Sequence, residues 1–434
     1  MSALPQQEMV LGEAMLFQPI LKQDYLLNEF SSDHTPQSAI QQGTPIEILV
    51  MGSDHLYIDL NNTRFSVKFH ITRGDGTPLP QDSHTSVINN VLHSLFKEIS
   101  LELNSKSVTD PNQLYPYRAY LENLLNYSHD VEHNRLRSEG WIRDTDCGNM
   151  DPERDATSGV AKRAAWVSRS RVFEVVGRPH LDLFHQNKLL PPGINMLIRF
   201  IPASDAFVIK TTDAQAAHKI AIDEVKLRVK RKQLTSKMEL AHRETILNQN
   251  MLLPYDKVQM KHMTIAQHTS KQLFDNVFTG SLPDLVIVVL VAEADFTGGF
   301  QLNPFNFQTF NLCDIRLKRN SQEVPRFGYT PNFARGIYTQ EYLTFQEQLG
   351  FDIGDKCVPL TPEEWSNGYT IYAFKVTDGP IGCGSEGPRS NAIAGNISLE
   401  LAFNPATAEN IKVILLYQMF AVLEIDRYSN CLPL

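Results

Sequence analysis

Three stretches of this 434-residue chain combine residue types and spacings that chemistry could use. In His129-Asp-Val-Glu132-His133, two imidazoles and a carboxylate follow the spacing of an inverted zinc-protease motif. That chemistry needs both histidines on one helical face, a Glu to polarise metal-bound water and a third ligand downstream. Here the motif follows Asn126-Tyr-Ser128, where a helical pattern runs out into polar sequence, so it reads as a solvated helix end. Gly382-Cys-Gly384-Ser-Glu-Gly387 has the glycine spacing of a dinucleotide-binding turn. It leads into Pro388-Arg-Ser-Asn and another strand, not into a helix whose N-terminus could face a pyrophosphate, and it reads as a loop. Lys226-Leu-Arg228-Val-Lys230-Arg231-Lys232 is the one basic run. On a strand, Lys226, Arg228 and Lys230 share a face while Leu227 and Val229 turn to the core. Such a face could meet nucleic acid or serve nuclear import, but it more often forms a solvated edge or an inter-subunit salt-bridge face.

Other groupings are weaker. His180 and His185 are five residues apart, which puts them on opposite faces of any single strand and argues against a cupin-like metal centre. Three glycosylation sequons, Asn61-Asn-Thr63, Asn126-Tyr-Ser128 and Asn396-Ile-Ser398, stay bare without a secretory route. No Ser/His/Asp order, phosphate loop or paired carboxylates stand out. The sequence therefore predicts no catalytic, cofactor-binding or metal-ligating residues, no cofactor and no enzyme activity.

Composition narrows the class. With 40 basic against 49 acidic residues the formal net charge is −9, which speaks against a protein whose main task is neutralising phosphates. A hydrophobic share of 42% with 21% charged residues excludes a disordered or fibrous chain. The longest apolar run, Leu285–Ala292, suits a buried strand and is far too short to span a bilayer. The first residues lack a basic region followed by an apolar core, so no signal peptide and a reducing compartment are expected. Cys147, Cys313, Cys357, Cys383 and Cys431 are odd in number and widely spaced, as free thiols would be.

The elements that must position these residues are mostly strands. Phe65, Val67, Phe69 and Ile71 alternate with polar residues before Gly74-Asp75-Gly76, a half-buried strand and then a turn. Ile99, Leu101 and Leu103 repeat the pattern. From Tyr117 to Leu125 the apolar steps change to three and four, giving a short helix with Pro116 in its first turn. Residues 128–165 are polar and patternless and read as a surface excursion. Further strands are expected at Val172–Val176, Asn195–Ile201, Ala206–Ile209 and Ile220–Val229. A second set follows at Leu285–Val291, Leu312–Leu317, Tyr369–Val376, Ile397–Phe403 and Ile411–Ile425, with one helix at Gln340–Leu349. Residues 1–40 hold no sustained period and read as a docking arm.

The two sets run in the same order. Strand 65–71 answers 285–291, strand 99–103 answers 313–317, the helix near Tyr117 answers the one near Gln340, and 195–201 answers 397–403. This is a structural repeat at a spacing of roughly two hundred residues. The fold expected is all-β, two tandem jelly-roll sandwiches with a few short helices, divided as arm 1–40, first roll 41–250 and second roll 251–434.

Two stretches go beyond pattern. One is Asn90-Val-Leu-His-Ser-Leu-Phe-Lys-Glu-Ile-Ser-Leu-Glu-Leu-Asn104 with Tyr115-Pro-Tyr-Arg-Ala-Tyr-Leu-Glu-Asn-Leu-Leu-Asn-Tyr127. The other comprises Pro304-Phe-Asn-Phe307, Asn367-Gly-Tyr369 and Glu424-Ile-Asp-Arg427. Together they resemble the major capsid proteins of Polinton (Maverick) elements and adintoviruses, from about residue 45 to the C-terminus. The resemblance implies a double jelly-roll capsomer: a pseudo-hexagonal homotrimer that tiles an icosahedral shell around a double-stranded DNA genome. Its partners would be further copies of itself, neighbouring capsomers, and penton and minor capsid proteins. Contact with genomic DNA would be non-specific at most, and no membrane span is implied. The location would be the virion, after synthesis in the host cytoplasm and assembly there or in the nucleus. Loops 128–165 and 321–338 would supply tower tips and subunit clasps. The competing class is a carbohydrate-binding or adhesive β-sandwich of a virion, for which exposed aromatic rows and calcium-type loops are lacking.

Overall fold

The computed structural model describes residues 25–80, 83–213, 217–351, 357–377 and 394–433. The Gly382–Gly387 stretch and Cys383 lie outside the described residues, as does most of the expected arm. Strands β1 to β8 are Leu26–His34, Ile46–Val50, Leu56–Thr72, Phe96–Leu103, Lys106–Ser107, Phe173–Gly177, Met196–Pro202 and Lys219–Leu234. They form two antiparallel sheets, ordered β1-β8-β3-β6 and β2-β7-β4-β5. Strands β9 to β16 are Met251–Ile265, Lys271–Ser281, Leu285–Ala292, Leu312–Arg319, Gln322–Tyr329, Ile371–Lys375, Ala394–Phe403 and Ile411–Ile425. Their sheets are β9-β16-β11-β14 and β10-β15-β12-β13, the same order counted from β9. Each set is a complete eight-stranded jelly roll, so the chain is a double jelly roll and the repeat read from sequence is a repeat of topology.

The period-two faces explain the register. Phe65, Val67, Phe69 and Ile71 on β3 are fully buried, and so are Leu101 and Leu103 on β4. Leu101→Ala is expected to cost ~2–5 kcal/mol, while Ser100→Ala on the other face costs under ~1 kcal/mol. Equal losses in denaturant midpoint at the two positions would refute this facing. β11 is buried at all eight positions because both its faces are covered. One packs into its own sandwich. The other carries Leu285 and Ile287 toward helix α1, Tyr115–Asn126, of the first roll, across a cavity of about 560 Å³.

Four expectations are corrected. Leu26–His34, placed in the arm, is the edge strand of the first roll, paired with β8 from Leu26↔Leu234 to His34↔Leu227. Both its faces are largely exposed, so no alternation marks it. The strand expected at Ala206–Ile209 is a helical turn, Asp205–Val208, followed by the short strand Ile209–Thr211. The excursion at 128–165 is ordered. It holds helix α2, His129–His133, the 3-10 turn Arg135–Glu139 and helix α3, Gly159–Val167, with Trp141 and Arg163 buried. In the loop expected at 321–338, Gln322–Tyr329 is strand β13, which leaves 330–338 as the connection.

Candidate functional site

The motifs singled out by spacing come apart in the fold. On α2, His129 and His133 are exposed and their rings stack at 4.1 Å. Glu132 turns the other way, is 2% exposed, and meets Arg143 with both carboxylate oxygens at 2.6 Å. With the carboxylate held on the opposite side, the three residues share no ligand position. The basic run is answered within the chain. Arg228 pairs with Asp33 at 2.7 Å and Lys230 with Glu29 at 2.5 Å, both acids on β1. Lys232 reaches Asp59 at 2.6 Å, and Lys226 reaches Glu224 at 2.9 Å. The salt-bridge face is thus intramolecular, formed when β1 adds to β8. The described cysteines Cys147, Cys313, Cys357 and Cys431 are free thiols.

The polar groups that the fold does gather lie along α1. Its first turn contains Pro116, which lacks only an N–H that has no intrahelical partner there. Tyr117 and Tyr120 face the second roll: Tyr117 stacks on Phe296 at 5.5 Å, and Tyr120 on Phe305 at 4.1 Å. Arg118 and Glu122, one turn apart on the helix, turn instead toward the segment after β6. Arg118 bonds Glu122 at 2.8 Å and Asp182 at 2.5 Å. Glu122 also meets His180 Nδ1 at 2.6 Å. Burial pushes the Glu122 carboxyl up, but Arg118 and His180 outweigh it and hold the group well below the usual carboxylate range. Arg118 stays charged because Asp182 and Glu122 more than offset its burial.

A second layer lies behind the first. His93 Nδ1 bonds the Tyr115 hydroxyl at 2.9 Å, and its Nε2 meets Glu139 Oε2 at 3.2 Å. The His93 and His180 rings stand edge to face at 4.6 Å. Burial is the main force that lowers the His93 pKa to about 4, so at neutral pH its imidazole is uncharged. Glu139, lowered by His93 against the effect of burial, remains ionised. Asn123 donates to both Glu139 and Asn90 at 3.2 Å. His180 and His185 do not lie on a strand at all. Asp182–His185 is a 3-10 turn, and the two rings sit 5.4 Å apart at 34°, so the argument from opposite strand faces does not apply.

None of this cluster was legible as a motif, because His93, Glu139 and His180 come from three separate connections. The available signal was chemical. His93 stands inside the apolar run Val91–Phe96, and Arg118 and Glu122 interrupt the buried face of a helix. The same blocks that carry the sequence resemblance also build the seam between the rolls. Across the seam Tyr369 donates to the Asp144 carbonyl at 2.8 Å and Asn303 donates to the Cys147 carbonyl at 2.9 Å, while within the second roll Phe307 N–H donates to the Gly368 carbonyl at 2.9 Å. Gly368 has φ +87°, and a Cβ there would come within 2.5 Å of the Cys147 side chain, so the close approach requires glycine.

No family model matches the sequence. It is similar to an uncharacterized protein of Caenorhabditis elegans, 24% identical over 352 residues that cover 79% of this chain and 82% of the relative. Among solved structures it is similar to the PBCV-1 virus capsid, with a TM-score of 0.60, 13% identity, and coverage of 94% of this chain and 97% of that one. The Sputnik virophage structure matches at TM-score 0.59 and 11% identity, covering 100% and 94%. The mavirus major capsid protein matches at TM-score 0.52 and 9% identity, covering 100% and 96%. At such identities the likeness is one of fold: the chain has the double jelly-roll architecture found in these capsid chains.

Proposed function

We propose that this protein is the major capsid protein of a Polinton-like element or adintovirus, a non-catalytic shell subunit. The observation that carries the reading is the repetition of one eight-strand topology twice in a single chain, with the two rolls fixed to each other by a seam of aromatic rings and buried hydrogen bonds. Two similar sandwiches side by side give three chains six near-equivalent corners, so a homotrimer can occupy a six-coordinated position of an icosahedral lattice. The fold likeness to capsid chains extends over nearly the whole length of both partners, which supports the same use here. A relative from a nematode supports an element resident in animal genomes rather than a free virus of microbes alone.

The remaining parts of the reading follow from that role. The rolls divide near residue 250, with Leu26–His34 belonging to the first and helix α4, Ser236–Ile246, joining it to the second. Partners are other copies, neighbouring capsomers, and penton and minor capsid proteins of the virion. The protein is made in the host cytoplasm and assembles there or in the nucleus around double-stranded DNA. The acidic net charge and the internally paired basic run favour no more than non-specific DNA contact. The connections 128–165 and 330–338 would form tower and clasp.

Light scattering on the size-exclusion peak tests this. The expected species is a trimer of 3 × 49.1 kDa, stable at micromolar concentration, with an intersubunit surface well above the ~1,600 Å² of a transient complex. A monomer under those conditions would defeat the assignment. Deleting residues 1–24, which spares β1, should leave the trimer intact and impair its assembly into shells.

A further inference from the structure

We propose that His93, Glu139 and His180 form a binding site for a divalent transition-metal ion, zinc foremost, within the first jelly roll. The site goes beyond the capsid reading and does not depend on it. One ligand atom from each of the three residues lies within 4.8 Å of the other two, and all three residues are buried. The His93 Nε2 to Glu139 Oε2 distance of 3.2 Å is close to the ~3.3 Å edge of a tetrahedron with ~2.0 Å metal–ligand bonds.

The surrounding groups hold each ligand from behind. Tyr115 hydroxyl meets Nδ1 of His93 at 2.9 Å, and the Glu122 carboxylate meets Nδ1 of His180 at 2.6 Å. Both rings are thereby oriented with Nε2 left for the interior, the arrangement by which outer partners fix the tautomer and raise the basicity of a ligating imidazole. Asn123 Nδ2 steadies Glu139 at 3.2 Å, while Asn123 Oδ1 is buried without a hydrogen-bond partner. An acceptor oxygen so placed suits a water on the fourth position of the ion.

Charge points the same way. Glu122, Glu139 and Asp182 are set against Arg118, the guanidinium that pairs with two of them. An ionised carboxylate in a buried setting is costly unless it is paired, and a divalent ion beside Glu139 supplies the missing positive charge. The cavity of about 560 Å³ between the rolls is bordered by Arg118, Glu122, Asp182 and His185, which gives an ion a way in to Glu122 and from there to His180. On binding, the ring proton that His93 Nε2 shares with Glu139 moves to Nδ1, where the Tyr115 hydroxyl oxygen can accept it, and the Nε2 lone pair turns to the metal, so the neutral imidazole binds without net proton release. The ion would tie the segment before β4, the connection between β5 and β6 and the segment after β6 into one unit.

The test uses the full-length protein, stripped with a chelator, titrated with Co²⁺ and dialysed. The expected result is one Co²⁺ per chain with the intense visible absorption of a tetrahedral site, loss of that band on adding Zn²⁺, and a higher melting temperature with metal than without. Glu122→Gln, which removes only an outer partner, should weaken binding about 10–100-fold while keeping the spectrum. His180→Asn should abolish uptake, and His133→Ala should leave it unchanged. A folded wild-type protein that retains no stoichiometric Co²⁺ or Zn²⁺ would overturn the proposal, as would uptake that survives His180→Asn or is lost in His133→Ala.

Discussion

Arg163→Met is expected to destabilise the protein by about 3–5 kcal/mol, the range for removing one member of a buried ion pair. Arg163 is fully buried on α3 and spends its guanidinium entirely on internal acceptors. Nε donates to the Val87 carbonyl at 2.8 Å, one terminal nitrogen to the Ile142 carbonyl at 2.7 Å, and the other to Asp144 Oδ1 and Oδ2 at 2.8 and 3.1 Å. Methionine fills similar space but strands a carboxylate and two carbonyls away from water. The cost comes from those groups, not from the lost attraction. A second substitution should therefore rescue the first: Arg163→Met with Asp144→Leu removes the stranded charge and recovers a large part of the loss. Gly159 marks how tight the site is, since a Cβ there would lie 2.6 Å from Asp144 Oδ1. Urea midpoints of the two variants against wild type decide the matter. A single variant that loses less than ~1 kcal/mol, or a double variant that is worse than the single, would contradict this account of the pair.

That arginine also shows where sequence stops being informative. A polar stretch between strands reads as a solvated loop when polar residues are assumed to face water. In residues 128–165 several of them face one another instead: Glu132 with Arg143, and Asp144 with Arg163. Self-satisfied polar pairs leave no periodic trace. Strands with one wet face do leave one, and so Phe65–Ile71, Ile99–Leu103 and their counterparts in the second roll were legible together with their order. β1 was not, because an edge strand exposed on both sides has no apolar alternation to display. The cluster of His93, Glu139 and His180 was out of reach for a third reason. Its members are neighbours only after β6 has paired with β3, β4 has joined the other sheet beside β7, and α1 has docked, and no local spacing encodes that. The seam was partly visible, since the aromatic residues at 117–120 and 305–307 stood in the blocks that carry the resemblance, but nothing local said that they face each other.

In the second roll, Trp365→Ala is expected to cost about 3–5 kcal/mol, as for truncating a fully buried aromatic ring. Trp365 sits on the short helix α5, Pro362–Ser366, where a capping box between Thr361 and Glu364 fixes the start. Its indole N–H donates to the Ile371 carbonyl at 2.8 Å, and its ring lies against Tyr372 and Phe345 among other aromatics. The same insertion reaches the first roll, through Glu364 to Arg143 at 3.3 Å and through the Tyr369 hydroxyl to the Asp144 carbonyl. Removing the ring therefore loosens both the core of the second roll and the grip of that roll on the first. Calorimetry should show this as a single transition that divides in two, with the second roll melting at the lower temperature. Trp365→Phe keeps most of the packing and deprives the Ile371 carbonyl of its donor, so it should cost nearer ~1 kcal/mol and leave the transition single. If Trp365→Ala melted in one transition at the wild-type temperature, the seam could not owe its rigidity to this insertion. For the proposed shell role a rigid seam matters, because in the proposed trimer subunits that flexed at the junction would present their six corners to a lattice at variable angles.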